Sequence, residues 1–444
     1  MLSYTSHCLQ TLLGVASLPY RQYLGYSSPQ ATLQAPLQAA QSGPPVTTLV
    51  SSCAGFSYPE VACIDRYGSL LQGGFERKVR NVLGDADTYI STNAPQEPTF
   101  SDLLNADFLV WNQSAATAIL GPNPSVEFMF SIEDCSHEAP VYVPTTNELY
   151  FSRLQQGFLP QLVINLNNDP PTLEEKLAQP PIYAATGARF RDGLLYLATI
   201  GGNESLAGYT FRPGLYTLNP TTGETQALLN NYYGYYFNAV DDLDIDHEGQ
   251  IWFTDNVNLF YQQDYGRPCQ VNTYAPQINP ATYRFDPKTG LVTMVDDSLL
   301  EPNGLTFSPD NKTVYLTDTG AGSAIIDPNI YPAPHIAYNS TRKGRTIYAY
   351  DVAPSRKALL NKRPVYLSME YAPDGIKTSR EGYLVSATGK GVVVLTDEGE
   401  PLVRVQTNFT VINVAFAGAD RDELWAIGKG GVARIRWGLK GSYA

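Results

Sequence analysis

Three stretches of this chain share one frame: DDLDIDHEGQIWFTD from Asp241, NGLTFSPDNKTVYLTD from Asn303 and DGIKTSREGYLVSAT from Asp374. Each begins with a polar Asp or Asn and runs through an alternating strand to a turn. A second strand rich in aromatic and β-branched residues follows. The turn residue falls eight positions after the lead each time, at Gly249, Asn311 and Gly382. EAPVYVPTTNELYFSR from Glu138 fits the same frame, with Thr146 at the turn. ATGARFRDGLLYLATIGG near 185 and INVAFAGADRDELWAIGKGG near 412 keep the strand-turn-strand part. A hairpin of this kind cannot bury its own apolar face, so repeats must pack on one another. Six units, spaced by roughly 40 to 70 residues, predict an all-β fold, a six-bladed β-propeller.

An open ring leaves strand edges unpaired. VEFMFSI at 126–132 precedes the first unit and GVARIRWG at 431–438 ends the last, so the two are expected to share a blade and lock the ring. Residues 1–120 then form an N-terminal extension packed outside, and 121–444 the propeller. Within the extension, residues 27–47 are rich in Ser, Gln, Pro and Ala and read as linker or arm. TLEEKLAQ at 172–179 is the one stretch of the propeller expected to be helical.

Composition narrows the partners. Hydrophobic residues make up 43% of the 444, enough for a large core. Charged residues are only 16%, against ~25% in an average soluble domain. The net charge of -13 and the lack of a basic stripe argue against nucleic acid and against anionic membranes, and suit metal cations or neutral ligands. No stretch is apolar for the eighteen or more residues of a membrane span. The run CLQTLLGVASLPY has the character of a secretory-signal core, although its flank MLSYTSH carries no Lys or Arg. Of the five cysteines, Cys53 and Cys63 are placed to close a short loop in an oxidising compartment, and no Cys/His cluster signals zinc. Five N-x-S/T sequons start at Asn112, Asn203, Asn311, Asn339 and Asn408. The balance slightly favours secretion over a cytoplasmic location.

In a propeller the innermost strand of each blade lines the channel, so its lead residue sits at the channel mouth. Four units place oxygen-bearing side chains there: Glu138, Asp241, Asn303 and Asp374. Hard oxygens converging from four blades suit Ca²⁺ or a similar divalent cation, and the absence of His among them argues against zinc. Any one of these residues alone is explained as well by turn chemistry, since Asn-Gly and Asp-Gly are strong turn signals. Each unit already has its hairpin turn eight residues later, however, which leaves the lead free to be a ligand. Gly304 is expected to let the backbone bend close to the ion. Thr254-Asp255 and Thr317-Asp318, which end the second strands, read either as supports of the site or as turn caps. The tyrosines of NNYYGYYFN at 230–238, among them Tyr233, Tyr235 and Tyr236, either line a substrate pocket or pack the blades. His137 would point away from Glu138 on an extended chain. It is structural by default, and a pocket acid or base in the alternative.

HEAPVYVPTTNELYFSR, LLNNYYGYYFNAVDDLDIDHEGQIWFTD, EPNGLTFSPDNKTVYLTDTG and APDGIKTSREGYLVSATGKGVVV together resemble the regucalcin/gluconolactonase family over about 125–438. They look most like its fungal lactonohydrolases, which open aldonate and pantoyl lactones. The resemblance implies a six-bladed propeller with a divalent metal, usually Ca²⁺, in the channel. It puts the family's metal glutamate on Glu138, its Pro-Asn-Gly asparagine on Asn303 and its Pro-Asp-Gly aspartate on Asp374. The chain departs from the pattern in three places. Asp241-Asp242 stands where the family usually has Asn-Asp, which would add a carboxylate to the ion. No arginine accompanies Tyr235 and Tyr236. Ile200 stands where an acidic stretch is usual, so a sugar lactone is poorly provided for.

The expected function is a divalent-metal-dependent lactonase or ester hydrolase on a small lactone, with Asp374 or Asp241 taking a proton from the attacking water. The alternative is a non-hydrolytic enzyme of fungal secondary metabolism on the same propeller. That would be a cyclase, a hetero-Diels–Alderase or an isomerase, holding a hydrophobic natural product among the tyrosines. A binding propeller without catalysis ranks third. The partner in the first two is a small molecule, and a homodimer stays open.

Overall fold

The structure is a computed structural model. It describes residues 105–202, 205–206, 208–257, 275–320, 344–368 and 372–442, with the shorter stretches 50–53, 55–56, 58–64, 78–80 and 89–91. The signal-like run, the arm at 27–47, Cys8 and Cys269 lie outside the described residues. The described stretches all fall in the compact unit formed by residues 47–444.

Six antiparallel blades form a six-bladed β-propeller. Their innermost strands are His137–Val143, Ala185–Arg191, Val240–Ile245, Pro302–Phe307, Ile376–Thr378 and the second half of Pro401–Ala417. Blades one to four are simple meanders, each strand pairing with the next. The strand Pro401–Ala417 belongs to two blades. Its first half pairs with Gly389–Leu395 at the outer edge of blade five, and its second half with Glu423–Lys429 in blade six. Gly431–Arg436 follows, and Ser125–Ser131 pairs against it, with Val126 opposite Ile435 and Phe128 opposite Ala433. The N-terminal strand of the propeller therefore completes the last blade, as expected. Glu127 fixes this seam by accepting from Arg434 and from Arg436 (2.6 Å).

The hairpin turns fall where the repeat put them in three blades. Gly249, Asn311 and Gly382 all have positive φ, at 86°, 57° and 93°. In blade one the left-handed residue is Asn147 (φ 54°), one beyond Thr146. Blade two turns on Asp192-Gly193, both left-handed, as a tight hairpin requires. Apolar residues of the strands fill the spaces between blades. Trp252 of blade three meets Phe307 of blade four edge-on at 5.6 Å, while its indole N–H donates to Asp246 at 3.0 Å.

The expected helix at 172–179 is a strand, Thr172–Lys176. It pairs with Gln161–Asn165 and forms the outer edge of blade one. Leu173 faces inward and Glu174 and Glu175 stay toward water, so charge protects an exposed edge. The described part of 50–120 also joins the sheets. Phe108–Val110 pairs with Val403–Val405, Val61–Ile64 pairs with it in parallel, and Val50–Ser52 follows, so blade five is widened. Cys53 and Cys63 are joined by a disulfide, and Cys135 is disulfide-bonded too. The helix Gln113–Leu120 is capped by Asn112, which accepts from the Ala115 N–H, and it buries Ala116, Ile119 and Leu120.

The blades touch through glycines. A Cβ on Gly304 would lie 2.3 Å from the Asp374 carbonyl of the next blade, and one on Gly375 would lie 2.1 Å from the Asn413 side chain. Gly304→Ala should lower the melting temperature and cost about 1–3 kcal/mol of unfolding free energy, because the backbone it strikes cannot give way. Gly208→Ala is the control: its φ is 83° with no atom within 4 Å, so it bears backbone strain without a clash and should cost less. Equal losses on thermal denaturation would contradict this account of Gly304.

Candidate active site at the channel mouth

The innermost strands do not pair regularly at their start. The register shifts between Glu138 and Val141, Ala185 and Gly187, Val240 and Leu243, Pro302 and Leu305, and Val411 and Asn413. A bulge bends the strand and re-aims its side chains. It recurs in five of the six blades; in blade five Asp374 lies just before a regularly paired strand. Hydroxyls of the second strands fix these bends from the preceding blade. Thr254 Oγ1 donates to the Asn303 carbonyl (2.6 Å) and Thr317 Oγ1 to the Asp374 carbonyl (2.9 Å). The aspartates beside them hold the entry loops. Asp255 accepts from the Asn238 and Ala239 N–H groups at 2.8 Å each, and Asp318 from Leu300 and Glu301 at 3.3 Å each. The Thr-Asp pairs thus clamp blade to blade and loop to strand. Gly304 stands where the backbone of the neighbouring blade comes close.

Glu138, Asp241 and Asn303 are buried, and Asp374 is the most open of the four. Asn303 Nδ2 donates to Asp241 Oδ2 at 3.0 Å, and Asn256 donates to the same oxygen. Asn413 Nδ2 donates to Glu138 Oε2 at 3.1 Å. Burial pushes the Glu138 carboxyl well above its usual range, and the charges of Asp374 and Asp241 add to this. Burial does the same to Asp241, with Asp374 and Asp242 adding. Asp374 is pushed up to about 7 by burial, against the opposing pull of Lys429. Lys429 ends the second strand of blade six, and its own pKa is lowered by burial.

Two further acid pairs lie deeper and are neutralised. Lys377 meets Asp242 at 3.3 Å, both buried. Arg189 grips Asp244 with two bonds, Nε–Oδ1 at 2.7 Å and Nη2–Oδ2 at 2.5 Å. Arg189 and Lys377 line a small solvent-open pocket of about 40 Å³ together with Tyr142, Phe190 and Phe416. At the mouth Glu138 and Asp241 take amide donors instead, and Asp374 feels Lys429.

The frame of the repeat reaches further than the four leads read from it. Asn413 stands eight residues before Arg421, the left-handed turn residue of blade six (φ 55°), and it bonds Glu138. It was missed because Arg is not a turn signal. Lys429 and Asn256 come from the ends of second strands, and Lys377 from three residues beyond its lead, positions that the lead-to-turn spacing does not mark. Blade two contributes Ala185 at the corresponding position, eight before Gly193, and so offers no ligand.

The remaining expected residues are scattered. His137 is fully buried, and its Nδ1–H donates to the carbonyls of Cys135 (2.8 Å) and Gly428 (3.0 Å). Burial lowers its pKa to about 4, so it is neutral and ties blade one to blade six. Tyr233, Tyr235 and Tyr236 are 69%, 58% and 39% exposed. Tyr233 turns to blade three's outer strand, where its hydroxyl donates to the Val292 carbonyl (3.4 Å). Tyr236 carries the guanidinium of Arg212 at 4.1 Å from its ring centroid. The arginine that the tyrosine loop lacks thus arrives from blade two. NLFYQQDYG at 258–266 lies outside the described residues.

A metal fits this donor set, although its oxygens are not pre-arranged as a cage. Among the described residues no group of three His, Cys, Asp or Glu side chains is poised as metal ligands. Amides of Asn256, Asn303 and Asn413 hold the carboxylate oxygens instead. Three carboxylates whose pKa values are raised by burial, with amides beside them, are nevertheless a hard-oxygen set.

The fold and mouth define a six-bladed propeller with an acidic axial site. The chain belongs to the SMP-30/gluconolactonase/LRE-like family, whose model matches residues 137–326 and 329–427. It is 93% identical to a protein of Aspergillus oryzae named lactonohydrolase oryL, over 444 residues and all of both chains. It is 40% identical to lactonohydrolase oryH of the same organism, over 90% of this chain and 96% of the relative. A gluconolactonase from Xanthomonas campestris shares the fold with a TM-score of 0.58 and 23% identity, over 73% of this chain and 93% of that one. A calcium-binding regucalcin from Agrobacterium tumefaciens superposes with a TM-score of 0.50 at 16% identity, over 72% and 95%.

The carboxylate pKa values carry a sign. An Asp that titrates near 3.9 unfolded and about 7 folded binds more protons when folded, so stability falls as pH rises between these values. In a chelator, the urea midpoint of the protein should be higher at pH 5 than at pH 8. Asp374→Asn should flatten that fall, and an identical pH dependence in the two proteins would refute the assignment.

Proposed function

We propose that this protein is a divalent-metal-dependent lactonase that opens a small lactone at the channel mouth. The observation that carries this is the gathering of Glu138, Asp241 and Asp374 at one buried mouth, where three carboxylates lie together and Lys429 acts on Glu138 and Asp374. The lactonohydrolase relatives point to the same reaction class.

Glu138, Asp241, Asn303 and Asp374 would hold the cation, with Ca²⁺ best suited to an all-oxygen set. When bound, such an ion supplies positive charge for the oxygen of the lactone carbonyl as that oxygen becomes negative. Asp374 is the base. It is the most open of the carboxylates, and a cation bound beside it would keep it ionised at neutral pH. It takes a proton from the attacking water and returns it to the ring oxygen when the carbonyl carbon–oxygen bond breaks. Asp241, held by two amides, keeps its place and shapes the charge of the mouth. Lys429 beside Asp374 keeps the base from being too strongly protonated. No observation in the described residues favours the cyclase, hetero-Diels–Alderase or isomerase reading, or the purely binding one.

Glu138→Gln and Asp374→Asn should each weaken Ca²⁺ binding by calorimetry and lower kcat/KM on a reactive lactone by about 10²-fold or more. Chelation should abolish turnover and added Ca²⁺ should restore it. Parental rates in both variants would end this reading.

A further inference from the structure

The sequons differ sharply in what the fold does with them. Asn311 is fully buried and holds a left-handed turn, with its side chain accepting from the His247 N–H (2.9 Å) and from Arg356 (3.3 Å). Asn112 caps the helix Gln113–Leu120. Asn408 is exposed. It lies between Gln406, the last residue of its strand to pair with blade five in that stretch, and Thr410, the first to pair with blade six. Asn203 and Asn339 lie outside the described residues.

Asn408 also stands at the rim of a hollow of about 420 Å³, lined by Phe128, Phe409, Thr407 and Val126 among others. Phe128 is 49% exposed, and it meets Phe409 edge-on at 6.0 Å. Both rings lie over Gly431, where a Cβ would come within 2.7 Å of each. The fold thus makes room for two phenyl rings at the surface beside an exposed sequon. The Cys53–Cys63 disulfide points to the oxidising compartment in which sequons are modified.

We infer that Asn408 is an N-glycosylation site and that its first sugar, an N-acetylglucosamine, packs over Phe128 and Phe409. The donor is an oligosaccharide on a polyprenyl diphosphate. The Asn408 amide nitrogen forms a bond to sugar C1, the C1–O bond to the diphosphate breaks, the amide loses one proton, and the polyprenyl diphosphate leaves. Thr410 supplies the hydroxyl the modifying enzyme reads. The apolar face of the sugar then covers the rings, and its polar edge stays in water.

The test is expression of the full chain in a eukaryotic secretory host, followed by enzymatic deglycosylation in heavy-oxygen water and peptide mass spectrometry. Asn408 should appear as labelled Asp and Asn311 as unmodified Asn. A bare Asn408 in recovered protein with an oxidised Cys53–Cys63 pair would overturn the proposal, as would an occupied Asn311 in folded protein. Packing has its own readout. Deglycosylation should lower the melting temperature of the parent, and Phe128→Ala should erase that difference while leaving Asn408 occupied. An unchanged melting temperature in the parent would refute the contact between sugar and ring. Asn408→Gln, which should fold and run at lower apparent mass, serves as the unglycosylated reference.

Discussion

The site depends on how closely one blade's innermost strand approaches the next. Thr254 reaches the Asn303 carbonyl and Thr317 the Asp374 carbonyl, while Gly304 and Gly375 leave no side chain in the way. These contacts hold the lead residues in neighbouring blades close enough for their charges to act on one another. With a larger residue at Gly304 the blades would splay, and Asp374 and Asp241 would titrate as strangers. The geometry of the mouth is thus set by backbone packing and hydroxyl bonds, and the acids are fitted into it.

Charge is then the quantity that needs balancing. The channel holds two tiers of acids. In the lower tier Asp242 and Asp244 each have a cation, buried Lys377 and half-buried Arg189, and they join blades. In the upper tier the partners are amides and one nearby lysine, and burial raises all three carboxyl pKa values. Buried ion pairs that are complete serve structure, whereas an incomplete set is tolerable only if protons or a cation arrive. The same residue type therefore has two jobs a few ångströms apart, and the neighbour decides which.

Much of this was legible in the sequence, for a physical reason. A hairpin of fixed length keeps its lead and its turn a fixed distance apart, so Gly249, Asn311 and Gly382 located Asp241, Asn303 and Asp374. Asn413 obeys the same spacing but was hidden, because Arg421 adopts a left-handed turn without being a residue that favours one. Lys429 and Asn256 could not be read from the leads at all, since they approach the axis from second strands. TLEEKLAQ misled because its charge pattern resembles a helix, while its real constraint was an outer edge needing a charged face. The role of His137 turned on two backbone carbonyls, from Cys135 and from distant Gly428, that no local pattern announces.

Asn303-Gly304 and Asn408-Phe409-Thr410 show how one signal divides once the fold is known. An Asn-Gly pair is a turn by local chemistry, yet the turn of that hairpin is made by Asn311, and Asn303 is freed to donate to Asp241. Asn311 begins a sequon by local chemistry, yet it is buried by the turn it makes, and only a sequon on an exposed crossover can carry a sugar. In both cases burial chooses among meanings that the local sequence leaves equal. The propeller makes that choice systematically, because every blade presents its lead to the axis and its crossovers to solvent. Chemistry that needs concentrated charge collects at the first place, and chemistry that needs access collects at the second.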